Sequence, residues 1–397
     1  MQRSRLIAVG ACAIDTILEV PHFPEQDSKT RATNLTKRRG GNCPNSLEVL
    51  QQLVRLEHAR RMNGYTPRSD ATEGAAVPEL SLISTLPSRK SPQIPFILAS
   101  FDPAESKAAT TDDSKSSPVS APIPSGVDFS HCIYRDAHAE PVSSYIISDQ
   151  SSGSRTIINH NMLEEMTFDE FKTIADELLS DVGPKEHIWF HFEGRIPPTT
   201  LECIKYLRAH LAVTRNESRS PAPNLRISVE LEKPGREGLQ DLAHQADVIL
   251  YSRSWAEGEG CSSAAECLKE QAAVLGFNNY GTGGCERTLI STWGDKGSCA
   301  LILPCSAADL DTSIISSPAF DLDGKKVVDT VGAGDTFIAG MLFGFLCREH
   351  DKDNTACAWS LKQKLDFANE LAGRKIIQHG FRGLAEQMEG LFDERQC

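Results

Sequence analysis

KKVVDTVGAGDTFIAGMLFGFL, residues 325–346, carries a short β-branched run into a glycine turn, meets an acid, and leaves as an apolar helix. Gly332 and Gly334 let the backbone turn tightly, so the amides of Ala333, Gly334 and Asp335 can converge at the start of a helix predicted to begin at Thr336. Free N–H groups at a helix N-terminus attract anions. Asp335 would face whatever those amides hold, and an acid beside an anion hole suits a general base working next to a transferring phosphoryl group. Read alone, GAGD is equally a β-turn followed by an N-capping Asp. The flanking residues shift the balance.

Upstream, short apolar strands alternate with helices. Strands are predicted at 5–10, 13–20, 29–37, 142–148, 155–160, 187–193, 226–232, 247–251, 288–293 and 299–303. Helices are predicted near 168–180, 199–212, 262–275 and 360–378, and GGNCPNSLEVLQQLVRLE opens a further one with Leu47, Leu50 and Val54 at helical spacing. This interleaving implies a mostly parallel sheet covered on both faces, with ligands outside the carboxyl ends of its strands. Residues 62–79 and 99–126 are rich in Ser, Pro, Ala, Asp and Thr and poor in aromatics, so they bury too little to offset their ordering entropy. Together with the glycine-rich stretch 276–286 they read as surface insertions. GTGG at 281–284 is not GxxxxGK[ST], and no segment of the chain is, which excludes a P-loop mechanism.

Composition sets the outer bounds. At 397 residues the chain is either one large α/β domain with additions or two domains. A formal charge of −13 argues against a nucleic-acid or anionic-membrane surface. The first fifteen residues hold one short apolar run broken by Asp15, too brief for a signal peptide or a membrane span. The 12 cysteines include no CxxC pair and no His partner at metal-ligand spacing, a pattern of reduced thiols. A cytoplasmic protein is expected.

A second chemical cluster lies at GGNCPNS, residues 40–46. Gly40 and Gly41 permit close backbone approach, while Asn42 and Asn45 offer the mixed donors and acceptors that a polyhydroxylated ligand needs. Asp15, after the first strand, can accept bonds from vicinal hydroxyls. Arg155, opening a strand after the GSRT turn, can reach a phosphate. Taken singly, Asn45 also reads as a helix cap, Asp15 as a surface turn acid, and Arg155 as an exposed partner of some carboxylate.

RGGNCPNS near the N-terminus together with DTVGAGDTF near the C-terminus resembles the ribokinase-like superfamily of sugar kinases, also called the phosphofructokinase B group. Within it the chain is most similar to the ketohexokinase branch, through FPEQDSKTR, SGSRTIINH, IWFHFEGR, RISVELEKP and WGDKGS in the same order. The resemblance implies one kinase domain over 1–397. Its fold would be a three-layer α/β/α sandwich with a small β-sheet lid from about 11–40 and 141–160. It assigns Asp335 as catalytic base and Gly332, Ala333 and Gly334 as anion hole. Asp15, Gly41, Asn42 and Asn45 become sugar contacts, and Arg155 lies near sugar and phosphate. Trp293, Gly294 and Gly297 of WGDKG, with Asn369 and Gly373 on the adjacent helix, fall to the nucleotide. Asp27 would cross to a neighbouring subunit's sugar site, in a homodimer paired through the lid.

The cofactors implied by the resemblance are ATP and Mg²⁺, with a monovalent cation such as K⁺ near the turn following Asp329. Many superfamily members organise Mg²⁺ through an NxxE motif, and this chain has Ser252–Trp255 at the corresponding place, as does the ketohexokinase branch in lacking it. Glu232 is then the candidate for the magnesium shell. The activity implied is transfer of the γ-phosphate of ATP to a primary hydroxyl of a ketohexose such as fructose. A kinase of another sugar or of a nucleoside, and a sugar-binding or scaffold protein without turnover, are the alternatives. Retention of Asp335 within a complete turn argues against the last.

Overall fold

Side chains of Ser4–Val9 (β1) alternate between two cores, Leu6 and Ala8 facing one and Ile7 and Val9 the other. A strand buried on both faces requires helices on both sides of its sheet. The computed structural model describes residues 3–62, 77–101, 126–180, 182–183, 186–217, 224–276, 286–304, 313–348 and 358–394. Ala13–Val20 (β2) and Asn34–Gly40 (β3) lead into the helix Asn42–Met62 (α1), followed by Glu79–Ile83 (β4), Thr85–Pro87 (β5) and Gln93–Ala99 (α2). Val127–Asp128 (β6), Ile133–Arg135 (β7), Val142–Asp149 (β8) and Arg155–His160 (β9) precede Phe168–Ser180 (α3). Then strands and helices alternate through His187–Glu193 (β10), Pro197–Glu217 (α4), Asn224–Leu231 (β11), Leu239–Gln245 (α5) and Val248–Tyr251 (β12). Arg253–Gly258 (α6), Ala264–Leu275 (α7), Arg287–Thr292 (β13), Ser298–Leu303 (β14) and Ile315–Ser317 (β15) lead to Ala333–Cys347 (α8) and Leu361–Ile376 (α9).

Among the described residues the large sheet has nine strands in the order β15-β14-β13-β12-β11-β10-β1-β4-β6. Pairing is parallel from β6 through β13, and β14 and β15 close that edge antiparallel. One face packs on α1, α8 and α9, the other on α3, α4, α5 and α7. α8 is apolar all round because it is enclosed, with Phe337 to Phe345 buried without a break. Phe343 stacks on Phe367 of α9 at 5.5 Å and meets Trp359 at 5.9 Å, contacts that each add about 0.5–1.5 kcal/mol beyond area burial. That packing fixes the start of α8, where the GAGD turn lies.

The second sheet is the expected lid. Its order is β3-β2-β8-β9, with β2 and β8 parallel and both outer pairs antiparallel. The three-layer sandwich with a lid is therefore as predicted, with differences in detail. The strand predicted at 29–37 forms instead over Asn34–Gly40, because pairing with β2, Glu19 opposite Asn34 and Ala13 opposite Gly40, sets its span. β4, absent from the sequence reading, pairs with β1 and begins at Glu79, where the first insertion was predicted to end. The insertions at 62–79, 99–126 and 276–286 otherwise lie almost wholly outside the described residues. Among the described residues the cysteines are unpaired thiols, and no helix is long and apolar enough to cross a membrane.

Candidate active site

α8 starts at Ala333, three residues earlier than predicted, with Gly332 as its N-cap in the left-handed region at φ 84°. The correction has a hydrogen-bonding cause. The Ala333 amide already donates to Thr330 O at 3.3 Å, and the Thr336 amide and hydroxyl both donate to Gly332 O, which winds the turn into the helix. The amides of Gly334 and Asp335 remain as the first-turn donors that a helix cannot satisfy itself. A Cβ on Gly332 would lie 2.4 Å from the Phe381 ring, so that aromatic side chain fits only against a glycine. Gly334 differs: nothing lies within 4 Å of its Cβ position, so the fold itself does not demand glycine there.

The Asp335 carboxylate accepts from Asn45 Nδ2 at 2.6 Å, and Ser46 Oγ donates to the Asp335 carbonyl at 3.0 Å. α1 and α8 therefore meet N-terminus to N-terminus. Arg39, buried behind Asn45, donates to Asn45 Oδ1 and pairs with Glu48, which fixes the amide's orientation. Burial first and the Glu230 charge second push the Asp335 carboxyl well above the ordinary carboxylate range; Glu232 and Glu193 add to this and the Asn45 hydrogen bond opposes it.

Those acids come from the carboxyl ends of adjacent strands, Glu193 standing opposite Glu230 in the β10–β11 register. Asn42 Nδ2 donates at 3.0 Å to both Glu230 Oε2 and Glu232 Oε2. Glu230 is held from below, where its Oε1 meets His191 Nε2 at 2.8 Å, His191 Nδ1 meets Ser228 Oγ at 2.8 Å, and Trp189 Nε1 donates to the same hydroxyl at 2.7 Å. Burial and Glu230 push the Glu193 carboxyl up to about 7. Cys43, His191 and Glu230 bring ligand atoms within 4.8 Å of one another, yet both imidazole nitrogens already have partners.

Asp15 is buried under β3, and a Cβ on Gly40 would lie 2.3 Å from its Oδ1. Burial raises its carboxyl, with Arg38, 3.9 Å away, acting in the opposite direction. Gly41 has φ 103° and a Cβ there would stand 2.0 Å from Ala11 O, so the chain enters α1 only through glycine. Arg155 donates to Thr330 Oγ1 at 2.7 Å, beside the GAGD turn, where a carboxylate partner was the ordinary expectation. Asp27 is exposed in the β2–β3 loop at φ 59°, and the described contacts do not bring it to the other site residues.

A model of the pfkB family carbohydrate kinases matches residues 123–387, about two thirds of the chain. The chain belongs to that family. Over 386 residues it is 27% identical to ketohexokinase of Mus musculus, covering 97% of this chain and all of that one. Among solved structures the ribokinase of Giardia lamblia superposes with a TM-score of 0.63 at 14% identity, covering 99% of this chain and all of the other. The nucleoside kinase of Methanocaldococcus jannaschii does so with 0.57 at 15%, covering 98% of each chain. The ribokinase-like fold of these structures thus accounts for the large, mostly parallel sheet and the smaller second sheet.

The residues assigned to the nucleotide divide. WGDKG closes as a tight loop between β13 and β14, Trp293 N donating to Gly297 O at 2.7 Å with Gly294–Lys296 as one 3-10 turn. The Trp293 indole, however, packs into the core, leaving only the loop's backbone and outer side chains to meet a ligand. Asn369 is engaged within the protein. Its Nδ2 is shared among Ser298 Oγ, Ser317 Oγ and Ser317 O at 2.8–3.2 Å, so the carboxamide ties α9 to β14 and β15. Gly373, one turn on, gives room to Phe320, which a Cβ would meet at 2.3 Å. Ser252 caps α6 and donates to Glu232 O at 2.8 Å, holding the acid's backbone.

Glu193, Glu230 and His191 of this kinase escaped the sequence reading. Each sits on a buried strand whose alternation looks like core, and the available signal was two strands, HIWFHFE and RISVELE, both ending in acids.

Proposed function

We propose that the chain transfers the γ-phosphate of ATP to a primary hydroxyl of a ketohexose such as fructose, with Asp335 as general base. The observation carrying this reading is the Asp335 carboxylate, raised in pKa, beside unpaired first-turn amides and bonded to Asn45 from the opposite helix. Phosphoryl transfer through a loose transition state depends mainly on positioning and charge neutralisation. Asp335 takes the hydroxyl proton as the new P–O bond forms. The amides of Gly334 and Asp335 face the charge building on phosphoryl oxygens, and Arg155, held by Thr330, adds a cation at the same turn. The lid, which carries Asp15 on β2, orients the sugar together with Asn42 at the start of α1 and excludes water.

The oxygen donors Glu230 and Glu232, which share one Asn42 amide, fit Mg²⁺, a hard cation, and this supports Glu232 as a member of the magnesium shell. When bound, the ion neutralises phosphate charge. Asp27 and the exposed lid side chains Leu35 (62% exposed), Tyr145 (46%) and Ile158 (55%) support pairing of two copies through the lid.

ADP release measured with Mg·ATP across ketoses, aldoses, pentoses and nucleosides tests the assignment. Ketoses of the fructose type are expected to turn over best. Turnover confined to nucleosides moves the assignment to a nucleoside kinase, and binding without turnover to a non-catalytic sugar-binding protein.

The pH profile follows from the raised Asp335. The base works deprotonated, so kcat/KM falls as pH is lowered through its folded-state pKa, and the acid limb is expected above the ordinary Asp value of about 3.9. Glu230→Gln removes the largest charge acting on it and is expected to move that limb to lower pH, whatever happens to the plateau. A wild-type limb at or below the ordinary value contradicts this account.

A further inference from the structure

The turn that enters the GAGD sequence is fixed by a lysine. Lys375 of α9 has a side chain 0% exposed, and its Nζ donates to Asp329 Oδ2 at 2.9 Å and to the Asp329 carbonyl at 3.0 Å. A carboxylate oxygen beside a backbone carbonyl is the hard donor set that a desolvated cation seeks. Here both oxygens are taken by an ammonium. The same carboxylate accepts from Arg38 Nη1 at 2.7 Å, from the Val331 amide at 3.0 Å and from the Gly380 amide at 3.4 Å. Burial alone would raise the Asp329 carboxyl, but Arg38 and then Lys375 outweigh it and hold it at about 2.

The charges facing one another are Asp15, Asp329, Arg38 and Lys375, which balance, and Asp335 acts on Lys375 from further along the turn. Phe381 closes the space, its ring centroid 5.4 Å from Lys375 Nζ and 6.0 Å from the Arg38 guanidinium carbon. A K⁺ ion added here would be a third cation in the cluster, beside the fully buried Lys375 and the partly buried Arg38, without an anion of its own, which is unfavourable. The expectation of a monovalent cation at Asp329 therefore does not fit the residues present.

We propose that the Lys375 ammonium takes the place of that cation, so the loop from Asp329 to the Gly332–Asp335 turn is set by a tethered charge and the protein needs no K⁺. Lys375 is a positioning residue, acting on Asp335 through the turn. The part of the claim that concerns turnover rests on the kinase reading. The test exchanges wild type and Lys375→Met into choline chloride, NaCl and KCl at equal ionic strength, and records both ADP release with the best sugar and thermal melting.

Wild type is expected to show the same rate and the same melting temperature in all three salts. Lys375→Met is expected to lose about 10²-fold in rate in choline, the scale of a displaced catalytic loop. It should recover rate and melting temperature with K⁺, which can enter the vacated oxygens. A specific rise of the wild-type rate or melting temperature with K⁺ overturns the proposal, and this arm stands even where the variant fails to fold. A folded variant with wild-type rate in choline overturns it as well. Absence of ADP release in every salt would count against the kinase reading, while wild-type melting still decides whether the site takes K⁺.

Discussion

Asp335→Asn is expected to lose about 10²- to 10⁴-fold in kcat with the sugar affinity nearly unchanged. The substitution keeps the shape of the side chain, and its amide oxygen still accepts from Asn45 Nδ2, so the α1–α8 junction survives. Only the proton acceptor is removed. Because Glu230, Glu232 and Glu193 all disfavour a charge at this position, a neutral side chain relieves repulsion, and the melting temperature should hold or rise. A loss of activity accompanied by unfolding would point to a structural role instead, and undiminished kcat would remove Asp335 from the chemistry. Single-turnover phosphate transfer with a melting curve on the same sample separates these outcomes.

Gly332→Ala should be the second most damaging change. The residue sits at φ 84°, where an L side chain costs about 1–2 kcal/mol, and the new Cβ would lie 2.4 Å from the Phe381 ring. Phe381 also covers Lys375 and Arg38, so it cannot yield without disturbing the ion pairs at Asp329. Relief must come from moving the turn, which carries the first-turn amides away from the phosphoryl group. Loss of one such donor elsewhere costs about 10²- to 10³-fold in kcat, and that range is expected here with a lowered melting temperature. Gly334→Ala is the control. With ordinary helical backbone and open space at its Cβ, it should fold like wild type and weaken only the approach of ATP, seen as a raised KM. Equal stability losses in the two variants would contradict the geometry.

Sequence gave access to features written in contiguous residues. The GAGD turn, the RGGN entry to α1 and most central strands have local signatures, namely glycine where φ is positive and unbroken apolar runs where both faces are covered. What remained hidden depends on partners distant along the chain. Glu193, Glu230 and His191 form one network only because β10 and β11 lie side by side, and neither strand alone distinguishes a polar interior from a packed one. Lys375 reads as a helix-end cation until α9 is folded against the turn at Asp329. Asn369, assigned to the nucleotide from its motif position, also ties a sheet edge through its amide, a role that depends on β14 and β15 lying against α9.

The place of β1 between β10 and β4 has a consequence for biosynthesis. β1 is synthesised well before His187–Glu193, the strand with which one of its two ladders forms. Until then an apolar edge stays open to wrong partners, the circumstance in which nascent α/β chains aggregate or engage chaperones. Yield from a heterologous host should therefore respond to slower translation or added chaperone more than to changes at the cleft.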